Sequence, residues 1–201
     1  MLDASRAGVR NILLHSVGPY IDVARNQVLQ KFYQELDEEY FLFFDSDMVA
    51  MADDITKLMT YASPDRIVSG VYWNNFPDWG MRPVAGRWSY NERQKCESII
   101  PIDPRILKDV DDDGLVKVDG CGAGFLLFHR SLLDKMVEAF GWPMPWFAEF
   151  VLERNQQWVG EDYIFCLRAA LVGVPSYVVP EVQIGHMKTQ MLTGESWLPE
   201  K

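Results

Sequence analysis

Tyr40-Phe-Leu-Phe-Phe44, followed at once by Asp45-Ser-Asp47, is the stretch on which the fold turns. Five consecutive apolar residues have the length of a strand, and an unbroken apolar run marks a strand covered on both faces. Upstream, Ile21, Ala24, Val28, Phe32 and Leu36 recur at three- and four-residue steps, which predicts a helix with that set as its buried face. Asn11 to Val17 reads as a short strand before it. Downstream, Ile55, Leu58, Met59 and Ala62 predict a helix over 53–62, and Ile67 to Trp73 a further strand. Leu115 to Val118 and Phe125 to Phe128 read as two strands around Asp119-Gly-Cys-Gly-Ala-Gly124. Ser131 to Phe140 is a predicted helix with Ser131 as its N-cap, Glu161 to Leu171 another helix, and Ser176 to Val179 another strand. Strands alternating with helices predict an α/β fold with a mixed, mostly parallel sheet flanked by helices. Asn74 to Arg105, rich in Trp, Pro and Gly, reads as a long functional insertion.

The 201 residues suit one domain, and 48% hydrophobic with 24% charged residues is enough to bury a core. Disordered, collagen-like and coiled-coil classes are thereby excluded. No apolar run approaches the roughly 18 residues of a membrane span. No basic start followed by an apolar stretch marks a signal peptide. The 29 acidic and 19 basic residues give a formal charge of −10, which speaks against unspecific nucleic-acid binding. Cys96, Cys121 and Cys166 lie far apart without a Cys-x-x-Cys pair, so neither a zinc knuckle nor a disulfide framework is expected. A reducing, cytoplasmic setting is the simplest expectation.

Asp-x-Asp alone carries no information here. With 17 Asp in the chain, chance supplies roughly 1.4 such pairs, and three are present (45/47, 109/111 and 111/113). Position separates them. Ligands in open α/β sheets bind beyond the carboxyl ends of strands, and only Asp45 and Asp47 directly follow a buried strand. Two carboxylates at such a rim either sit in a solvated turn or hold a hard cation such as Mg²⁺ or Mn²⁺ together with substrate phosphates. Asp109-Val-Asp111-Asp-Asp113-Gly114 opens like an EF-hand loop, but position twelve is Gly120 and prolines break the preceding helix. An acidic turn between two strands is the better reading. Glu161-Asp162 opens a helix, where acidic residues complement the dipole or place a general base. His186, after the last strand, is either structural or a nitrogen ligand beside carboxylates. Arg25, in mid-helix, either faces water with Asn26 or turns to the rim to hold a phosphate or an acidic neighbour.

The order of these pieces along the chain carries more than any one of them. Ala24-Arg-Asn26, Phe41-Leu-Phe-Phe-Asp-Ser-Asp-Met48, Gly122-Ala-Gly-Phe125, Gly160-Glu-Asp-Tyr-Ile-Phe-Cys-Leu-Arg168 and Gly185-His186 together resemble family 2-like glycosyltransferases of GT-A fold, above all the short bacterial and phage-encoded members. The resemblance spans roughly residues 20 to 188. It implies one GT-A-like, Rossmann-like domain over 1–201 and an inverting transfer of sugar from a nucleotide-sugar donor to an acceptor hydroxyl. Mn²⁺ or Mg²⁺ would be held by Asp47 and His186, with Asp45 near the metal or the ribose. Asp162 is implied as general base, with Glu161 positioning the acceptor. Arg25 and Gly122, Ala123 and Gly124 would lie along the donor. Trp73, Trp79, Trp88, Trp146 and Trp158 offer stacking surfaces for sugars.

Family members begin with an apolar strand that holds the nucleobase. Here only Met1 to Arg10 precede the first predicted strand, so the expectation is that the domain is N-terminally shortened. Ile12 to His15 takes that strand's place, or the chain is a truncated version, or a partner subunit (a second copy included) fills the gap. Two other functions would use the same residues: nucleotidyl transfer on a related fold, and a non-catalytic carbohydrate- or protein-binding module.

Overall fold

The computed structural model describes residues 12–16, 18, 20–91, 96–152 and 157–188. In chain order the elements are α1 (Ile21–Glu35), β1 (Tyr40–Phe44), β2 (Met48–Val49), α2 (Ala52–Thr60), β3 (Ile67–Val71), β4 (Trp73–Phe76), β5 (Gly80–Pro83), β6 (Ala85–Asn91) and β7 (Cys96–Pro101). A 3₁₀ turn (Pro104–Lys108) leads to β8 (Val116–Val118), β9 (Gly120–Cys121), β10 (Phe125–His129), α3 (Ser131–Phe140), β11 (Phe150–Leu152), β12 (Gln157–Val159), α4 (Glu161–Leu171), β13 (Ser176–Gln183) and β14 (Gly185–His186).

β1 is covered on both faces, as its apolar run requires. Phe41 and Phe43 enter the core cluster that includes Leu29 and Phe32 of α1 and Leu133 and Met136 of α3, whereas Tyr40 and Leu42 pack on the opposite cluster around Leu58, Leu127 and Val179. The central sheet has the order β1-β10-β3-β13-β8. Only the β3–β13 pair is parallel, so the expected mostly parallel sheet is corrected to a mostly antiparallel one. The reason lies in β10. The helix-linked strands β1, β3 and β13 do point the same way, but β10 inserts between β1 and β3 in the opposite sense and β8 closes the far side likewise. Residues 12–16 form no strand, so the expectation for Asn11 to Val17 fails over that part, while Asn11 and Val17 themselves lie outside the described residues. Among the described residues β1 therefore pairs on one side only.

Other corrections are local. The buried face of α1 is Arg25, Leu29 and Phe32, rotated from the expected set, because a buried arginine is tolerable once carboxylates neutralise it. The α1 C-terminus is closed by Arg130, which donates to the carbonyls of Phe32, Tyr33 and Leu36. Ser131 is the first helical residue rather than the cap; its hydroxyl pairs with His129 Nδ1 at 2.8 Å. The expected aperiodic insertion contains two hairpins, β4–β5 and β6–β7. The acidic loop before β8 is a turn, preceded by the 3₁₀ segment rather than a strand: Asp111 Oδ1 accepts from the N–H groups of Asp113 and Leu115, Gly114 has φ +80°, and Asp113 pairs with Arg66 at 2.9 Å.

Candidate functional site

Because β1, β3 and β13 are co-directional, their carboxyl ends share one rim. Asp45 and Asp47 leave β1 there, Tyr72 and Trp73 leave β3, and the chain leaving β13 returns as β14. β14 pairs with β2 in the register His186↔Met48, and the Met187 N–H donates to the Asp47 carbonyl at 2.8 Å. Segments far apart in sequence are thus sewn together through the backbone. β10 runs the other way, so its start, Gly122 to Gly124, lies on the same rim, and the Asp45 N–H donates to the Gly124 carbonyl at 2.9 Å.

Arg25 joins the two acidic motifs. It is 5% exposed, its Nη2 donates to Asp45 Oδ2 at 2.7 Å, and its Nη1 donates to Glu161 Oε1. The guanidinium also lies near the Phe43 and Phe147 rings, and its Nε has no partner. Of the two readings of Arg25, the rim-facing one with acidic neighbours is correct. Asp45 nonetheless has its pKa raised, because burial outweighs the nearby guanidinium. Glu161 is buried.

Asp162 is partly exposed at the start of α4, and its Oδ1 accepts from the Tyr163 N–H at 2.8 Å. Its carboxyl is pushed up to about 6, first by desolvation and then by the Glu161 charge, against the pull of Arg25. A carboxylate that titrates near neutrality can take a proton from a hydroxyl and release it again.

Asp47 and His186 form the other half. His186 Nδ1 stands 2.9 Å from the Trp73 carbonyl, which only accepts, so this nitrogen carries a proton. In the neutral ring Nε2 then presents a lone pair 3.2 Å from Asp47 Oδ2. Two acceptors facing each other call for a cation between or beside them, either a proton or a metal ion. The Asp47 carboxylate is 46% exposed and open to further ligands, while the imidazole is 9% exposed and fixed. This donor set fits a hard divalent ion completed by water and phosphate oxygens. Among the described residues no three His, Cys, Asp or Glu side chains gather into a finished metal site, and Asp45, expected beside the metal, gives one oxygen to Arg25.

Gly122, Ala123 and Gly124 are buried. Tyr72, which carried no signal in the sequence, fills the space above the glycines. Its hydroxyl accepts from the Gly124 N–H at 3.1 Å, and a Cβ on Gly122 would stand 1.9 Å from that oxygen. The Tyr72 ring meets His186 edge-on at 5.3 Å. Of the tryptophans expected as sugar platforms, Trp146 is core at 2% exposure, Trp73, Trp79 and Trp88 are half-buried, and Trp158 is exposed.

No protein-family model and no curated protein matches this sequence. Solved structures similar to it include the following two. One is A197 from STIV, with a TM-score of 0.47 and 17% identity over 94% of this chain and 87% of that one. The other is GalNAc-T7 with UDP, GalNAc and Mn²⁺, with a TM-score of 0.54 and 12% identity over 94% of this chain and 34% of that one. This chain therefore spans about a third of the GalNAc-T7 chain. At that identity the likeness speaks for architecture alone: the fold is GT-A-like.

Proposed function

We propose that this chain is a metal-dependent inverting glycosyltransferase, working as one domain, that moves a sugar from a nucleotide-sugar donor to an acceptor hydroxyl. The observation that carries the reading is the Arg25 bridge, which ties the strand-end Asp45 to the Glu161-Asp162 helix start at one rim of a GT-A-like sheet. Asp47 and His186 would hold Mn²⁺ or Mg²⁺, with Asp45 beside them. Such an ion, when bound, supplies positive charge to the departing nucleoside diphosphate. The backbone of Gly122, Ala123 and Gly124 and the Arg25 guanidinium would border the donor.

Asp162 would face the acceptor. As the acceptor oxygen bonds to the anomeric carbon and the bond to the diphosphate breaks, the hydroxyl proton passes to an Asp162 carboxylate oxygen. A single displacement of this kind inverts the anomeric centre. Glu161, ion-paired to Arg25, would fix the first turn of α4, so its part in acceptor positioning runs through Asp162. A strand from a second copy or another subunit would pair with the open side of β1.

A thermal-shift panel of nucleotide sugars with and without Mn²⁺ tests the reading. One donor is expected to stabilise the protein only when Mn²⁺ is present. Asp47→Ala should abolish that shift, whereas Asp111→Ala should retain it, since Asp111 serves its own turn. Equal losses from the two substitutions, or no stabilising donor at all, would overturn the assignment.

A further inference from the structure

Behind the acidic rim lies a groove of about 240 Å³ between α1 and the segment that follows α3, lined by Asn26, Gln30, Trp142, Met144 and Trp146 among others. Trp142 is 43% exposed and forms an open wall of the groove. It is braced from beneath, with ring centroids 5.2 Å from Trp146 and 5.9 Å from Tyr33. Trp146 is 2% exposed, yet its indole N–H has no hydrogen-bond partner. Gln30 makes a long exposed bond, 3.3 Å, to Gln34.

The groove is preformed. Asn26 clamps Phe147 twice, donating to its carbonyl at 2.7 Å and accepting from its N–H at 3.0 Å. Arg168 donates to the carbonyls of Pro145 and Trp146. Both clamps come from the helices that build the rim, since Asn26 adjoins Arg25 and Arg168 lies under two turns from Asp162. Phe147 separates the two places, with its ring near Arg25 and its backbone on Asn26.

We propose that this groove is a subsite for one pyranose ring. An exposed, braced indole suits the apolar C–H face of a sugar, while the Gln30 amide at its edge suits a hydroxyl. The volume is below the range for drug-sized ligands and fits a single ring. Assigning that ring to the acceptor rests on the transferase reading; the binding itself does not.

The test uses the full chain with ¹⁵N-labelled tryptophan, titrated with the methyl glycosides of glucose, galactose, mannose and N-acetylglucosamine, without metal or nucleotide. At least one glycoside is expected to move the Trp142 and Trp146 indole resonances saturably, with millimolar affinity. Trp142→Ala should weaken it about 10-fold or more, Trp142→Tyr should restore most of it, and Gln30→Ala should weaken it a few-fold. Indoles that no glycoside moves, undiminished affinity in Trp142→Ala, or response to a tetraproline peptide alone would each overturn the proposal. Glycoside binding without any Mn²⁺-dependent donor shift would keep the groove and retire the transferase; the reverse pattern would keep the transferase and retire the groove.

Discussion

Arg25→Met would leave Asp45 and Glu161 on either side of a gap where a shared guanidinium had stood, in a pocket walled by Phe43 and Phe147. Removing one member of a buried charge network costs about 3–5 kcal/mol. Asp45 is already raised by burial, and without Arg25 it would rise further. The loss should therefore be larger at pH 8, where Asp45 is ionised, than at pH 4, and urea unfolding at the two pH values would measure it. Asp162 gives a second handle. Its folded-state pKa is raised to about 6, so its stabilising contribution is complete below about pH 4 and is lost as pH climbs through about 6. Asp162→Asn escapes that loss and should melt higher than the wild type at pH 8 but not at pH 4. Transfer by the wild type should rise with pH through about 6 and then level. The same variant should transfer about 10²-fold more slowly or worse while donor and metal affinity hold. Near wild-type turnover in Asp162→Asn would reduce this residue to a helix-start acid.

At the scale of elements, the contact that sets the rim is strand-end against strand-start. Tyr72, just past β3, occupies the volume that side chains at 122 and 124 would need. Gly122→Ala puts a methyl 1.9 Å from the Tyr72 hydroxyl and 2.7 Å from Val84 Cγ1, so a loss of about 3 kcal/mol or more is expected. Tyr72→Phe removes the nearest oxygen at the cost of the Gly124 hydrogen bond. A double-mutant cycle by denaturant unfolding should then show partial rescue, and strict additivity would exclude the clash. The same elements divide what the sequence disclosed from what it withheld. The run Tyr40–Phe44 announced a strand covered on both sides because no polar residue interrupts it, although Phe44 at its end is 41% exposed, and Asp45, Asp47, Glu161, Asp162 and His186 stood out by following strands or opening a helix. Strand direction left no such trace. Phe125–His129 is as apolar as β1 and gives no sign that it runs antiparallel between β1 and β3. Tyr72, Trp142 and the Asn26–Phe147 clamp were equally silent, since an aromatic at a strand end or an amide on a helix acquires its role only from partners distant in sequence.

Across the whole molecule, a formal charge of −10 gathers cations near the surface whether or not a site exists. Any stabilisation by a divalent ion thus has a general part, which screening by ordinary salt reproduces, and a local part, which it does not. The two separate at Asp47 and His186. Mg²⁺ prefers oxygen ligands and gives up its water reluctantly, whereas an imidazole nitrogen favours Mn²⁺. With the nucleotide-sugar donor present, Mn²⁺ should accordingly raise the melting temperature more than equal Mg²⁺, and both more than NaCl of matched ionic strength. His186→Ala should erase the preference for Mn²⁺, leaving a response to Mg²⁺ through Asp47 and the donor phosphates. Asp47→Ala should reduce the Mn²⁺ and Mg²⁺ responses to the NaCl baseline, because only the diffuse field of the molecule remains. Differential scanning fluorimetry on the three proteins decides it. If Asp47→Ala responds to Mn²⁺ as the wild type does, the stabilisation belongs to the net charge and the rim holds no ion.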